Sequence, residues 1–452
     1  MTAPKFKVII VGAGPVGLSA AHALRLANID FLILEKRQNV VIDVGASLAV
    51  GPASMRVMHQ LGLLDRLLEV SHKSERRKAL TIDGRLVKDT PFYHHLKENT
   101  GSTSIAFNRA DYLRLLYERL GNDQAKVLTG KDIVDIISSD SGVTVKCADG
   151  SIYEGSIVIG ADGVHSKVRN IMRRMALEED PTRSWDAEKP YLTTYKCLWF
   201  STPSLVSEQD LFGCPDMTVY ETYHKDHSIM CLSGKLRCWT FLYKKLPQPT
   251  TQRLTYTKED MEEMMNTFAD FPITEFVKVG EAYNKRINSS MASIEEGMTS
   301  HWSFGRIVLA GDSCHKFAPN LGLGYQSGLQ DVVALCNRLH SAVAQALDGM
   351  PSTLALNEIF KSYHAFRQGP ANMDAKLSAF LIRQTVWDNF FYYLLSLYIL
   401  PSRFADHVLQ NWVFPPIDSR MLVLDYVESE EPFTGRVSWV YKIPTPSKAK
   451  ED

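Results

Sequence analysis

The chain has 452 residues, of which 45% are hydrophobic and 22% are charged. This length and apolar content suffice for a large core and favour more than one lobe. Because the formal net charge is −1, the composition gives no reason to expect binding to nucleic acid or to an anionic membrane surface.

The seven cysteines are scattered, odd in number and never spaced as C-x-x-C. This pattern argues against a disulfide framework or a structural zinc site, so we predict no metal and a reducing, cytoplasmic compartment. We also expect no secretory signal, because the first residues run directly into a strand.

The longest apolar run, Phe390–Leu400, is shorter than the roughly 20 residues that cross a bilayer. We therefore expect no transmembrane span. The run is predicted to form a buried helix that Pro401 ends, with peripheral membrane association as the alternative.

The first elements in chain order form a strand, a turn, a helix and a second strand. Lys7–Val11 is apolar and β-branched, Pro15–Asn28 has helical spacing, and Phe31–Leu34 is apolar again and ends at Glu35. This order is typical of the opening βαβ unit of a doubly wound sheet.

The chain then changes from helical to β-rich patterns. Pro52–Leu68 and Asp111–Leu120 are predicted to be helices, and Asp132–Ile159 reads as an antiparallel meander with Ser-Gly and Asp-Gly turns. Four further strands are predicted to form a second sheet: Tyr191–Phe200, Thr218–Tyr223, Ser228–Ser233 and Arg237–Tyr243.

After these strands, Arg306–Leu309 returns to the character of a buried strand, and the chain is mostly helical from about Gly324. The predicted fold is therefore α/β with an α+β insert. A Rossmann-like nucleotide-binding lobe comprises residues 1–182 and 296–345, a mainly antiparallel β-sheet substrate lobe comprises 183–295, and 346–452 is a helical C-terminal region.

The stretch GAGPVG supplies the first motif, with Gly12, Gly14 and Gly17. Its glycines allow a tight turn, a close approach of a pyrophosphate to backbone N–H groups, and packing of the helix on the strand. Glu35 ends the second strand, where a carboxylate can bind ribose hydroxyls. Lys36 follows it and suggests a contact to a 2′-phosphate, although such residues are often only solvated.

Two later stretches follow buried strands in the same way. In GADGVHSKVR, Asp162 and Gly163 make a turn before a helix. In LAGDSCHKFAPNLGLGYQ, Gly311 and Asp312 follow a strand, and Pro319, Gly322 and Gly324 form a turn that opens a helix. The free N–H groups of that helix could meet an electron-rich ring or an oxyanion. Cys314 and His315 are interpreted as packing residues, because no third ligand or triad member stands at a suitable spacing.

In this order, the three motifs resemble those of the class A FAD-dependent monooxygenases, whose fold is similar to that of para-hydroxybenzoate hydroxylase. The stretches VIIVGAGPVGLSAAHAL, ILEKR and GASLAVGP resemble fungal secondary-metabolite members of the family. Those members include indole-alkaloid spirocyclases and epoxidases of indole diterpenes and meroterpenoids.

The resemblance implies that the first motif and Glu35 hold the ADP half of FAD and that Arg109 reaches FAD. The loop Gly45–Gly51 lines the ribityl and ring side through Ala49. It further implies that Asp312 binds the ribityl chain, that Gly322–Tyr325 places backbone amides near the flavin ring, and that Asp162 serves both FAD and NADPH.

The implied chemistry is that of the cofactor: NADPH reduces FAD, and O2 then forms the flavin C4a-hydroperoxide, an electrophilic oxygen donor. The implied substrate is a bulky apolar small molecule. We favour 2,3-epoxidation of a prenylated indole leading to a spirooxindole. Epoxidation of an isoprenoid alkene and aromatic hydroxylation are the alternatives within the family.

Candidates for proton transfer come from the predicted second sheet. Tyr195 and Lys196 lie in TTYKCLWF and could donate a proton to an opening epoxide, and Tyr223 is a similar candidate. An outward-facing polar residue of an ordinary strand would look the same. The stretch WVYKIP near the C-terminus only partly matches a halogenase motif, and we interpret this match as coincidence. A non-catalytic flavin-binding protein remains the alternative from another class.

Overall fold

A computed structural model describes residues 5–43, 46–203, 218–233 and 236–446. The strands are β1 Lys7–Val11, β2 Asp30–Leu34, β3 Ser47–Val50, β4 His72–Lys73, β5 Arg76–Thr81, β6 Leu86–Thr90, β7 Ile105–Asn108, β8 Val127–Leu128, β9 Ile133–Ser139, β10 Gly142–Cys147, β11 Ile152–Gly155, β12 Ile157–Gly160, β13 Leu192–Pro203, β14 Thr218–His224, β15 His227–Ser233, β16 Arg237–Thr250, β17 Asn288–Met298, β18 Ser303–Phe304, β19 Ile307–Leu309 and β20 His315–Lys316. The α-helices are α1 Pro15–Leu26, α2 Pro52–Gln60, α3 Leu64–Val70, α4 Phe92–Thr100, α5 Arg109–Glu118, α6 Lys167–Glu179, α7 Lys258–Phe268, α8 Val279–Asn284, α9 Leu323–Gln345, α10 Thr353–Thr385, α11 Phe390–Leu394, α12 Arg403–Val408 and α13 Phe414–Ser419.

A six-stranded sheet in the order β18-β19-β12-β1-β2-β8 forms the centre of the first lobe. The pairs β19–β12, β12–β1, β1–β2 and β2–β8 are parallel. The strand residues Val8, Ile33, Val158 and Val308 are fully buried, because helices cover a parallel sheet on both faces. This arrangement confirms the predicted Rossmann-like architecture.

An eight-stranded sheet in the order β20-β17-β13-β16-β15-β14-β5-β6 forms the second layer. Its long strands β13 to β17 pair with one another in antiparallel fashion, as predicted for the inserted sheet. The pair β14–β5 is parallel, and β5 and β6 come from residues 76–90. The sheet therefore also takes strands from the segment assigned to the first lobe, while the domain bounds stay a prediction.

One face of the large sheet packs on α7 and α8 through a cluster that includes Leu198, Leu242 and Phe268. The opposite face carries a second cluster, which includes Tyr195, Phe241 and residues of α10. The two faces result from the period of two along a strand, so adjacent residues of β13 belong to different clusters.

Several predicted elements differ from the structure. The antiparallel meander expected over Asp132–Ile159 ends at Gly155, because β12 pairs in parallel with β1 and β19 in the other sheet. The single helix expected over Pro52–Leu68 is wrong, because the chain turns at Gly62 and two helices form, α2 and α3. The helical region extends to Ser419, and residues 420–446 form turns and irregular segments.

The described residues contain no helix that is both long and apolar enough to cross a bilayer.

Candidate functional site

The three glycine motifs meet at one edge of the six-stranded sheet. They follow β1, β12 and β19, which are neighbouring parallel strands, so all three turns leave the carboxyl ends of the strands. Ligands of open α/β sheets bind outside these strand ends. The topology therefore brings together motifs that lie up to 300 residues apart in the sequence.

The first motif has one open and two crowded glycine positions. Gly12 has a φ of +104°, and a Cβ atom there would lie 2.6 Å from the carbonyl oxygen of Ala161. A Cβ atom on Gly17 would lie 2.0 Å from the carbonyl oxygen of Gly12. At Gly14, by contrast, a Cβ atom would meet no described atom within 4 Å. Gly12 and Gly17 thus permit the packing, and Gly14 borders open space at the start of α1.

Glu35 lies at the end of β2 beside this turn. Its Oε2 accepts a hydrogen bond of 2.8 Å from the backbone N–H of Ala13, and its Oε1 accepts one of 2.9 Å from the N–H of Arg37. These bonds fix the carboxylate next to the glycine turn and leave each oxygen a further lone pair for a ribose hydroxyl. The neighbouring Lys36 is exposed.

Asp162 organises the second motif. Its Oδ1 accepts a hydrogen bond from the hydroxyl of Ser166, and its Oδ2 accepts hydrogen bonds from the N–H groups of Lys167 and Val168. The carboxylate therefore caps the first turn of α6. Burial raises the pKa of Asp162, while these hydrogen bonds favour its charged form. A contact of Asp162 to FAD or NADPH stays a prediction.

Arg169 connects the second and third motifs. The sequence predicted that it faces outward, but it is buried in the structure. Its Nη1 donates a hydrogen bond of 2.8 Å to the carbonyl oxygen of Ser313, and its guanidinium lies 4.9 Å from the ring centre of Tyr191. The hydroxyl of Tyr191 donates to the carbonyl oxygen of Asp312. The position of Asp312 is thus held by side chains from two other segments.

The third motif forms two short helical turns before α9, at Gly311–Ser313 and at Pro319–Leu321. The side chain of Asp312 forms an ion pair with Lys316 Nζ at 2.5 Å and lies near Gly324, where a Cβ atom would be 3.7 Å from Asp312 Oδ1. Gly322 has a φ of +64°, and a Cβ atom there would lie 3.3 Å from the carbonyl oxygen of Ala49. The turn that contains Pro319 therefore lies directly against β3, as the prediction for Ala49 requires.

Two groups next to the predicted cofactor contacts have protein partners. The Tyr325 hydroxyl lies 3.0 Å from Ser19 Oγ and also bonds to the Tyr112 hydroxyl, so its side chain enters the lobe interior and only its backbone faces the turn. Of the predicted loop Gly45–Gly51, Gly45 lies outside the described residues. The N–H of Gly51 donates to Gln326 Oε1 at 2.9 Å, which ties this loop to α9.

Arg109 begins α5 close to the site. Burial lowers the pKa of its guanidinium, the charge of Arg37 lowers it further, and the charge of Asp312 raises it. Arg109 therefore lies within electrostatic range of residues that follow the first and third motifs. This position agrees with the predicted approach of Arg109 to the cofactor.

Cys314 and His315 have a partner that the sequence analysis missed. His315 Nε2 lies 2.6 Å from Asp331 Oδ2, and the ligand atoms of Cys314, His315 and Asp331 all lie within 4.8 Å of one another. Asp331 also accepts hydrogen bonds from Arg367 Nε at 2.8 Å and from the N–H of Gly311 at 2.9 Å. Burial raises the pKa of the Cys314 thiol. Asp331 is thus bound by His315, Arg367 and the backbone of Gly311, and the Cys314 thiol stays protonated. We therefore interpret the cluster as a structural support for the turn after β19.

Tyr195 and Lys196 lie on opposite faces of the large sheet. Tyr195 is fully buried in the cluster next to α10 and Ala318, one residue before Pro319. Lys196 faces the other side, where its Nζ lies 5.9 Å from the ring centre of Tyr256. The structure thus brings Tyr195 near the turn at Pro319 and does not bring Lys196 there.

Tyr195 shares its face with two further polar side chains of β16. Tyr243 and Trp239 are 2% and 3% exposed. The hydroxyls of Tyr195 and Tyr243 and Trp239 Nε1 have no hydrogen-bond partner among the described residues. Burial raises the pKa of both tyrosines, so their hydroxyls stay protonated. Because unpaired buried donors are costly, this face is suited to a ligand that carries acceptor oxygens.

Tyr223 belongs to a buried polar group on the same face. Its hydroxyl donates a hydrogen bond of 2.7 Å to Glu221 Oε2. Arg77 Nη2 and Nε donate to the two carboxylate oxygens of Glu221 at 2.7 and 3.0 Å. Because Glu221 and Tyr223 are two residues apart on β14, the sequence predicts that they share a strand face. Nothing in the sequence near them predicts their contact with Arg77, which lies on β5.

The residues at the strand ends fit a dinucleotide with a polar-edged ring. Neither α1 nor α9 has a side-chain cap among the described residues, so their first N–H groups are free for a phosphate or an anionic ring edge. Asn320, in the turn before α9, has its amide nitrogen and oxygen buried without a described partner. A flavin edge offers both donors and acceptors for such an amide. The fold and site are therefore those of a dinucleotide-binding protein, and the buried amide suits a flavin ring.

The comparison with protein families agrees with this assignment. The family model described as "FAD binding domain" matches residues 5–187 and 215–367. FAD-dependent monooxygenase srdH of Neurospora crassa is 32% identical over 453 residues, covering 97% of this chain and 99% of that protein. FAD-dependent monooxygenase DEP2 of Alternaria brassicicola is 32% identical over 442 residues, covering 96% and 81%. The chain belongs to the FAD-dependent monooxygenases, which confirms the resemblance seen in the three motifs.

Solved structures show the same fold at lower identity. HpxO of Klebsiella pneumoniae, complexed with FAD and uric acid, has a TM-score of 0.70 and 20% identity, covering 91% of this chain and 97% of that chain. The Diels-Alderase PyrE3 of pyrroindomycin biosynthesis has a TM-score of 0.67 and 19% identity, covering 93% and 82%. At this identity the likeness concerns the fold alone, and one fold can host different reactions.

Proposed function

We propose that this monooxygenase takes electrons from NADPH and inserts one oxygen atom of O2 into an electron-rich C=C bond of a bulky apolar secondary metabolite. The observation that carries the proposal is the buried sheet face beside the turn Pro319–Gly322. There, Tyr195, Trp239 and Tyr243 lie among Val219, Met230, Phe241 and Ile294, next to Ala318. Such a face combines apolar contact with a few polar groups, as substrate pockets do.

The aromatic character of this face favours an indole over a flexible isoprenoid chain. The rings of Phe241 and Tyr243 are stacked at 6.5 Å with an interplanar angle of 15°. Flat aromatic groups pack well against such rings. The preferred substrate is therefore a prenylated indole, oxidised at its 2,3-bond on the way to a spirooxindole. An isoprenoid alkene is the second candidate.

When bound, reduced FAD would activate O2 and supply the electrophilic oxygen. Glu35, Arg109, Asp312 and the turn at Gly322 would hold FAD, and the sheet face would exclude water from the reacting atoms. The Tyr195 hydroxyl is protonated and has no described partner. It would donate a hydrogen bond to the oxygen that develops negative charge when the epoxide opens.

The surface around His165 supports the choice of NADPH. Burial lowers the pKa of His165, and the charges of Arg253, Arg169, Lys36 and Lys316 lower it further. Of these cations, Lys36 and Arg253 are exposed, and phosphates of a transiently bound NADPH would be attracted to them. Since the second Rossmann-type motif expected for a dedicated NADPH domain is missing from the sequence, surface binding is the simpler arrangement.

The test is aerobic NADPH oxidation by the FAD-loaded protein with a panel of prenylated indoles and isoprenoid alkenes. Mass spectrometry with labelled O2 should detect a product with one added oxygen atom, and NMR should identify the spirooxindole. We expect Tyr195→Phe to lower product formation at least about tenfold while NADPH oxidation continues. Tyr256→Phe, on the opposite face, is the matched control and should change neither.

Three results would oppose the proposal in different ways. If NADPH never reduces the bound FAD with any substrate of the panel, the choice of NADPH is wrong. A halogenated product after addition of chloride or bromide would favour the halogenase. Oxidation of isoprenoid alkenes alone would replace the indole by the second candidate.

A further inference from the structure

The segment after α10 exposes an unusual number of apolar side chains. It consists of α11 with a π-helical turn over Leu395–Ile399, followed by α12 with a π-helical turn over Leu409–Val413. The sequence predicted a buried helix over Phe390–Leu400, and this prediction is wrong. Phe390 and Tyr398 are 73% and 68% exposed.

The exposed large apolar residues of this segment form what we call the aromatic face: Phe390, Phe391, Leu394, Tyr398, Ile399, Phe404, Trp412 and Val413. Within each helix they recur at helical spacing, so they lie on one side, while Ser396 and Gln410 on the other side are buried. Clusters of this kind mark interaction sites, whereas single exposed apolar residues are ordinary.

Within the segment that carries the aromatic face, the exposed permanent charges have one sign. Asp388 is paired with Lys245 Nζ at 2.5 Å and Asp406 with Lys88 Nζ at 3.2 Å, so both acids are turned toward the protein. Burial raises the pKa of Asp418 to about 7. Among residues 389–420, the exposed side chains with a permanent charge are Arg403 and Arg420. The face is therefore locally cationic although the whole chain is nearly neutral.

We propose that the aromatic face binds the surface of a lipid bilayer that contains anionic lipids. Its Phe, Tyr and Trp rings would enter the boundary between headgroups and acyl chains, and the two arginines would meet lipid phosphates. Phe404 and Trp412, at 78% and 72% exposure, project almost fully from the protein. A fluid boundary accepts projecting rings anywhere, whereas a protein partner must offer a matching pocket for each ring.

The proposed contact lies close to the substrate face. The last turn of α10 contributes Ile382 and Val386 to the cluster of Tyr195, and Trp387 packs edge-on against Tyr393 at 4.9 Å. A bilayer at the aromatic face would therefore lie near the cluster that contains Tyr195. The membrane proposal does not rest on the proposed function, because binding to lipid needs no substrate.

The test is flotation of the FAD-loaded protein with phosphatidylcholine vesicles, with and without phosphatidylserine. We expect the protein to float with the mixed vesicles and less with phosphatidylcholine alone. The variant Phe390→Ser/Phe404→Ser should weaken binding by about tenfold or more for each ring removed. Arg403→Gln/Arg420→Gln should remove the preference for phosphatidylserine.

The matched control is Phe276→Ser, because Phe276 is 74% exposed and lies in the loop before α8, away from the aromatic face. This variant should float like the parent protein. Bound FAD and the circular dichroism spectrum should be the same for all variants, which excludes misfolding. The proposal is overturned if the parent protein floats with neither vesicle, or if the double Phe variant floats equally well. It is also overturned if light scattering shows a dimer that the same substitutions dissociate.

Discussion

Gly12 and Gly14 differ in what a single methyl group would meet. At Gly12 the methyl group would collide with the backbone of Ala161, and the positive φ adds strain. At Gly14 it would meet no described atom within 4 Å, and the backbone angle is an ordinary extended one. The first glycine is therefore required by the packing of the backbone, whereas the second borders open space, and its contact with a ligand stays a prediction.

We expect Gly14→Ala to fold normally and to lose FAD. The added methyl group enters the space through which a pyrophosphate approaches the N-terminus of α1. Gly12→Ala should lower the thermal stability of the apoprotein itself, because the methyl group and the backbone would have to move. Flavin absorbance after desalting and the melting temperature of the apoprotein measure the two effects separately.

Gly121→Ala is the control for positive φ without crowding, because Gly121 has a φ of +59° and open space around its Cα. It should lower stability modestly and leave FAD content unchanged. Full retention of FAD by Gly14→Ala would show that no phosphate approaches this turn.

The sequence predicted the turn at Gly12 and Gly14, because glycines at this spacing after a strand indicate a backbone that must turn tightly and leave room for a ligand. It also located Glu35 and Asp312, which stand at fixed positions relative to their strands. It could not show that the Asp162 carboxylate is occupied by the first turn of α6. The type and position of a residue indicate which interactions its side chain can form. Only the fold shows which partner it binds.

At the scale of elements, the large sheet places a buried charge pair between strands that are distant in the chain. Arg77 on β5 and Glu221 on β14 are neighbours because the two strands pair in parallel. Glu221 is 3% exposed, and Arg77 and Tyr223 satisfy its oxygens. Removing one partner of such a pair leaves the other charge buried and uncompensated.

We expect Glu221→Gln to lower the free energy of unfolding by about 3–5 kcal/mol, measured by urea denaturation with saturating FAD. Replacing both members, in Arg77→Met/Glu221→Leu, should recover much of this loss, since no unpaired charge remains. The exposed pair Arg66–Glu69 serves as the control, and Glu69→Gln should cost less than about 1 kcal/mol. Equal costs for the two single variants would mean that the Arg77–Glu221 pair is solvated.

The period of two along each strand was visible in the sequence, and the strands of the second sheet were predicted on that basis. The contribution of β5 and β6 to that sheet was not, because strand pairing over more than a hundred residues has no local signal. The same limit applies to the aromatic face. An apolar run of this length predicts a helix, but its burial depends on whether other elements cover it.

At the scale of the whole molecule, the site depends on segments from both parts of the first lobe. Glu35 and Arg109 come from the first part, and Asp312 and Gly322 come after the inserted sheet. Arg169 and Tyr191 connect these parts through the backbone of Ser313 and Asp312. A ligand bound at this junction would stabilise the folded chain as a unit, since the unfolded chain has no such site.

We therefore expect FAD to raise the melting temperature of the apoprotein progressively, by an amount equivalent to about 2.7 kcal/mol at a hundredfold excess over its dissociation constant. In Asp312→Asn the same rise in melting temperature should require higher FAD concentrations, because the carboxylate that we assign to the ribityl chain is lost.

The control is Asp270→Asn, which makes the same isosteric change at an exposed position. It should leave the dependence of the melting temperature on FAD concentration unchanged. The apoprotein of Asp312→Asn should melt close to the parent, because its ion pair with Lys316 is partly exposed and contributes little. If both asparagine variants respond to FAD alike, the carboxylate of Asp312 does not hold the cofactor, and the assignment of the third motif has to rest on the backbone of the turn alone.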